Sequence, residues 1–241
     1  MRMLRSSNPV FKGIKGGYEL GTEAATYSGI TAKTLFLFLI TLTTGFFAIM
    51  NLEYIAANYF IMIGSMILAF VCVIGARVSP RRAKIFAPLY AALEGIVLGV
   101  LIIVVDGIVP NIAFNAILIT ISTFLVMLVL YGTGVVRVGP MFRRAMIGAL
   151  IGLLVSTVAT FIIGLISPGF REAYFANMEI MLMVSLISAA LASLFILIDL
   201  DNCSKLVKAR APQEYEWVAS LGLMVTIIWL FIEILRFLMI F

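Results

Sequence analysis

The sequence predicts an all-α membrane protein, a bundle of seven transmembrane helices. Three observations predict it: an extreme composition, recurring apolar runs, and basic residues gathered in alternate connections. Hydrophobic residues make up 63% of the 241 and charged residues 12%, where a soluble domain has about half apolar and a quarter charged residues. Mean hydropathy is +1.17. Unbroken apolar runs of about 20 residues recur, the length a helix needs to cross a hydrocarbon layer.

The runs lie at 34–51, 55–75, 85–105, 108–131, 145–166, 180–198 and 217–241. Each must be helical, because lipid cannot satisfy open backbone groups and nothing shows the alternation of a barrel strand. Residues 34–241 are thus the transmembrane domain, and residues 1–33, with scattered charge and five glycines, read as a cytoplasmic tail. That tail has no short apolar core with a cleavage site, so the first span is expected to be retained. Lys and Arg cluster in the tail (Arg2, Arg5, Lys12, Lys15, Lys33) and in the second, fourth and sixth connections (Arg77, Arg81, Arg82, Lys84; Arg137, Arg143, Arg144; Lys205, Lys208, Arg210). Such loops stay inside. The expected topology is a multi-pass protein of a cytoplasmic (inner) membrane, N-terminus inside and C-terminus outside.

Absences narrow the function. The net charge of +5 is spread over short loops facing an anionic leaflet, which argues for the lipid bilayer and against nucleic acid as partner. No histidine occurs, which removes serine-histidine dyads, histidine zinc sites and imidazole switches. No lysine lies within the last six runs, which excludes a retinal-type Schiff base. Cys72 and Cys203 have no metal or disulfide spacing and read as free thiols. An intramembrane aspartyl protease is disfavoured by the lack of a GxGD motif, so the chain reads as a non-enzyme without a cofactor. Gly95/Gly99 and Gly148/Gly152 have the spacing of close helix packing, and are read as internal contacts.

Acids within the spans carry the functional argument. An ionised acid at mid-membrane costs about 2.5 to 3.5 kcal/mol on insertion scales, so each needs a partner, a proton or a water-filled path. Glu94 lies about 14 Å into the third span and Glu233 about 24 Å into the seventh, at 1.5 Å per residue. Asp199 stands at the inner end of the sixth, in FILIDLDNCSKL. Asp199 and Asp201 are about 200° apart on a helix. The small-residue stripe Ser185, Ser188, Ala189, Ala192 turns Asp199 inward, while Asp201 points away with Lys205 as its ion-pair partner. Ala219, Gly222, Thr226, Trp229, Glu233 and Arg236 form a second stripe facing into the bundle, with Arg236 a possible neutraliser of Glu233. The outer connections add Glu53, Asp106, Glu172 and Glu179. Acids without His or Cys suit a hard cation, Ca²⁺ or H⁺. No dedicated metal site is legible.

FILIDLDNCSKL, EYEWVASLGLMVTIIWLFIEILRFL, YAALEGIVLG and SSNPVF together resemble the Bax inhibitor-1 family, in a bacterial form. The resemblance implies a seven-helix fold with the last helix central, and a pH-sensitive Ca²⁺ leak. It also implies a latch in which an aspartate of span six shares a proton with one in span seven. Asp199 matches the first and Thr226 stands where the second would be. This departure puts a carboxylate-sharing latch in question, and a hydroxyl bond from Thr226 to Asp199 is one arrangement that can still hold the gate. The alternative function implied by the resemblance is a membrane interaction protein that modulates a membrane-bound protease without conducting ions. Oligomeric state and physiological role are not legible.

Overall fold

The structure is a computed structural model that describes residues 23–241, the side chains of residues 56 and 59 excepted. Among the described residues, seven helices are long and apolar enough to cross a membrane. They are span one (Tyr27–Met50), span two (Tyr59–Val78), span three (Pro80–Asp106), span four (Ile112–Gly132), span five (Pro140–Ile166), span six (Met178–Lys208) and span seven (Glu214–Ile240). Short helices Leu52–Ala57 and Pro168–Ala176 join spans one and two and spans five and six. The only extended pairing among the described residues is an isolated bridge between Ala24 and Pro212.

Several helices outrun the apolar segments that announce them. Span one begins at Tyr27 rather than 34, capped by the Thr26 hydroxyl, which accepts from Gly29 N at 3.0 Å. Spans three and five start at Pro80 and Pro140, where a missing N–H costs a helix nothing. Span six continues to Lys208, ten residues past its apolar run. Hydropathy marks the part that meets lipid, whereas the helix continues until its terminal N–H or C=O groups find other partners. Lys33, Asp199, Asp201 and Lys205 are therefore all helical. Of the expected tail, residues 1–22 lie outside the described residues.

Between lipid-immersed helices there is no hydrophobic gain from association, so close packing through small residues must hold them. The core follows that rule: Ala76, Ala83, Ala87, Ala91, Ala116 and Ala192 are fully buried around Leu37, Met224 and Leu230. Gly95 and Gly99 of span three meet span one so closely that a Cβ on Gly99 would collide with the Gly45 carbonyl, and one on Gly95 with Thr41 backbone and the Thr44 hydroxyl. Thr41 Oγ1 donates to Ala91 O at 3.0 Å across the same seam. Gly148 and Gly152 differ. A Cβ on either would meet nothing within 4 Å, so the internal packing read for this pair is not found.

Span seven holds the central place, with buried residues around most of its circumference. Spans one, three, four and six flank it, and span two touches its edge. Span five stands off: it packs on span six and the helix Pro168–Ala176, and none of its residues is buried. The gap between spans five and seven is the feature on which the site is built.

Candidate functional site

The gap is a groove of about 600 Å³ between spans five, six and seven, with Arg77 of span two at one end. Its span-seven wall is Gly222, Val225, Thr226, Trp229, Glu233 and Arg236, one face of the helix at steps of three and four. From Gly222 to Arg236 this wall runs about 21 Å at helical rise. The polar stripe expected on span seven is therefore the groove wall, turned to span five rather than to the dense core, where Leu223, Met224 and Leu230 sit. The middle is apolar, with Leu150, Leu154, Val184 and Phe195 opposite Trp229, whose ring meets Phe195 edge-on at 5.8 Å.

One end carries Arg77, Arg143, Asp199 and Asn202. Here Thr226 Oγ1 lies 2.5 Å from Asp199 Oδ2, joining span seven to span six. The same hydroxyl has a second acceptor, Gly222 O at 3.2 Å. A threonine has one hydroxyl proton, so it serves one of the two at a time. Arg77 and Arg143 both lie within electrostatic reach of Asp199. Arg77 makes no hydrogen bond or ion pair among the described residues, and its side chain is exposed.

Asp201 departs from expectation. It pairs with Lys205 at 2.5 Å, but it also accepts from Arg143 Nη2 at 2.5 Å and from the Tyr131 hydroxyl at 3.4 Å. Its side chain is only 14% exposed. The face of span six opposite Asp199 does not look out to solvent, because spans four and five bring Tyr131 and Arg143 against it. Arg143 Nη2 further donates to Asn202 Oδ1 at 2.8 Å, while its Nε is buried without a partner. Asp199 and Asp201 thus belong to one charged knot tied by Arg143.

At the far end, Glu233 accepts from Trp229 Nε1 at 3.2 Å and faces Arg236 Nη2 at 3.0 Å. The contact with Arg236 is an ion pair without hydrogen-bond alignment, for Glu233 Oε2 is buried with no hydrogen-bond partner. Glu94 is not brought to this groove. It is partly buried on span three, one turn beyond the buried Tyr90, and makes no hydrogen bond or ion pair among the described residues. The groove thus gathers Asp199, Thr226, Glu233 and Arg236 and leaves Glu94 outside.

One buried acid escaped the sequence reading. Glu216, 1% exposed, accepts from Thr26 N at 2.8 Å and Thr26 Oγ1 at 3.2 Å, and forms an ion pair with Lys33. Lys33 also lies 5.4 Å from the centroid of the Trp217 ring, and Ser220 donates to Ile30 O at 2.9 Å. Residues 23–25 pair with the turn ahead of span seven, through Ala25 N to Ala211 O at 2.7 Å and Gln213 N to Glu23 O at 2.9 Å. An acid in the first turn of a helix ordinarily answers the helix dipole, and no local signal in EYEW distinguishes Glu216 from Glu214, which is half-exposed.

Among the described residues, seven apolar helices, one of them central and flanked by a groove that carries charged side chains, define a multi-pass α-helical membrane protein. A family model described as Bax inhibitor 1 like matches residues 8–241, all seven spans included. The chain belongs to that family. No curated protein matches it significantly.

Proposed function

We propose that the protein is a cation leak, with Ca²⁺ as cargo, in which Asp199 gates the basic end of the groove and Thr226 holds it. The hydrogen bond between Thr226 and Asp199 carries the reading. An ionised Asp199 accepts from Thr226 and attracts Arg77 and Arg143. A protonated Asp199 becomes a donor to Thr226, whose own proton then turns to Gly222 O, and the attraction on the two arginines is lost. Uptake of one proton thus changes both the clasp between spans six and seven and the charge balance at the groove's mouth, which makes the leak sensitive to pH.

Ca²⁺ takes six to eight oxygen ligands, and no group of three or more acidic, cysteine or histidine side chains among the described residues is placed to hold a metal. The cation therefore passes with part of its water shell, steered by Glu233 at one end and Asp199 at the other. Glu94, off the groove, would serve only a second route. In this reading the Asp199 end lies on the cytoplasmic side of a bacterial inner membrane, N-terminus inside and C-terminus outside, an orientation that the basic residues near that end support. Purified protein in liposomes should pass Ca²⁺ at a rate that changes across about pH 5 to 8, and absence of flux at every pH in that range overturns the proposal.

The second reading, a non-conducting regulator of a membrane-bound protease, draws on the contact that joins residues 23–26 to span seven through Glu216. A partner pulling on the N-terminal segment would act on the central helix directly. Removing residues 2–22, and so sparing Thr26, should abolish a partner-dependent effect while leaving flux intact; the reverse result counts against this reading.

A further inference from the structure

We infer that the groove seats one acyl chain of an anionic phospholipid drawn from the leaflet on the basic side of the bundle, with the lipid phosphate held by Arg77 and Arg143. The inference goes beyond the ion reading and does not depend on it. The groove lies where span five stands off span seven, and Ile147 and Leu154 of its span-five wall are about half exposed. Its middle is lined by Leu150, Leu154, Val184 and Phe195, with free space over Gly222, where a Cβ would meet nothing within 4 Å. An apolar channel of this kind is filled more cheaply by a hydrocarbon chain than by water, so the lipid-filled groove is the non-conducting state, and the chain must leave before a hydrated cation passes.

Hydrocarbon alone gives no selectivity, since lipid tails are as apolar as leucine and the chain loses nothing by staying in the bilayer. Selection must come from the head. At the basic end Arg77 has no hydrogen bond or ion pair among the described residues, and Arg143 keeps a buried Nε unpartnered beside its contacts with Asp201 and Asn202. Guanidinium groups suit phosphate oxygens through paired, charge-assisted hydrogen bonds. The first turns of span three carry Arg81, Arg82 and Lys84, which enrich anionic lipid at that surface. The head is thereby fixed where the charges are, and the chain follows the groove past Thr226 towards Trp229.

The chain has two tryptophans, and Trp217→Phe leaves Trp229, in the groove wall, as the sole emitter. The full-length W217F protein is reconstituted in phosphatidylcholine vesicles containing a minor fraction of phosphatidylglycerol brominated on its acyl chains, or the same fraction of brominated phosphatidylcholine. The brominated phosphatidylglycerol should quench Trp229 several-fold more than the brominated phosphatidylcholine. Arg77→Gln, at an exposed side chain unpaired among the described residues, should remove most of that excess, and Gly222→Phe, which fills open space, should abolish it. Equal quenching by the two lipids, which marks unselective surrounding lipid, overturns the inference. So does an absence of quenching, or an excess that survives both substitutions. No ion gradient enters the measurement, so its failure and the failure of the leak are read separately.

Discussion

Lys33 of span one and Glu216 of span seven, 183 residues apart, form an ion pair in which the carboxylate is 1% and the lysine side chain 17% exposed. Removing one partner of a buried pair leaves an uncompensated charge and costs about 3 to 5 kcal/mol. Glu216→Ala should therefore lower the thermal stability of the purified protein severely. Adding Lys33→Met to it should return a substantial part of the loss, because the orphaned charge goes with it. Thermal unfolding of the two single variants and the double variant measures the coupling. Additive losses would show that the contact does not bind the two helices.

The two glycine pairs make a contrasting prediction. Gly99→Leu drives side-chain atoms into the span-one backbone at Gly45 and should cost about 1 to 3 kcal/mol or prevent folding. Gly148→Leu meets open space and should stay within about 0.5 kcal/mol of the parent. The midpoints of thermal unfolding in one detergent give the comparison.

Flux separates the remaining acids. Glu233 lines the groove and Glu94 does not. Glu233→Gln should change the Ca²⁺ flux of reconstituted protein, since it uncouples Arg236 and leaves that cation facing the path. Glu94→Gln should leave flux unchanged. A loss with Glu94→Gln and none with Glu233→Gln would move the route away from this groove.

Much of this was legible in the chain and some of it was not. Seven spans, the inward turn of Asp199 and the stripe of Thr226, Glu233 and Arg236 follow from helical periodicity, which is a local property. The stripe's true neighbour, the loosely packed span five, is not local: nothing in PMFRRAMIGALIG says that its glycines face outward while those of YAALEGIVLG are buried. The sequence pairs Asp201 with Lys205 because four residues is a spacing that it displays. Its second cation, Arg143, is 58 residues away. Glu216 is hidden for the same reason, its partner Lys33 having the look of a tail residue until the helix start at Tyr27 takes it in.

Thr226 supplies a further expected outcome. Thr226→Val keeps the shape but removes the donor 2.5 Å from Asp199 Oδ2, at a cost of about 1 to 3 kcal/mol for a carboxylate left short of a partner. Stability should fall by that amount, and the pH at which flux changes should move, since the ionised form of Asp199 loses its hydrogen bond. Thr226→Ser, which restores the hydroxyl, should bring both back.

The measurement that bears most directly on the gate is Ca²⁺ flux against pH for Asp199→Asn beside the parent protein in identical vesicles. Asparagine keeps the size and can still accept from Thr226, yet it takes up no proton and never attracts Arg77 or Arg143. The account predicts a flux that no longer varies with pH and stays at the level the parent reaches in acid. An asparagine variant whose flux follows the parent's pH dependence would contradict it.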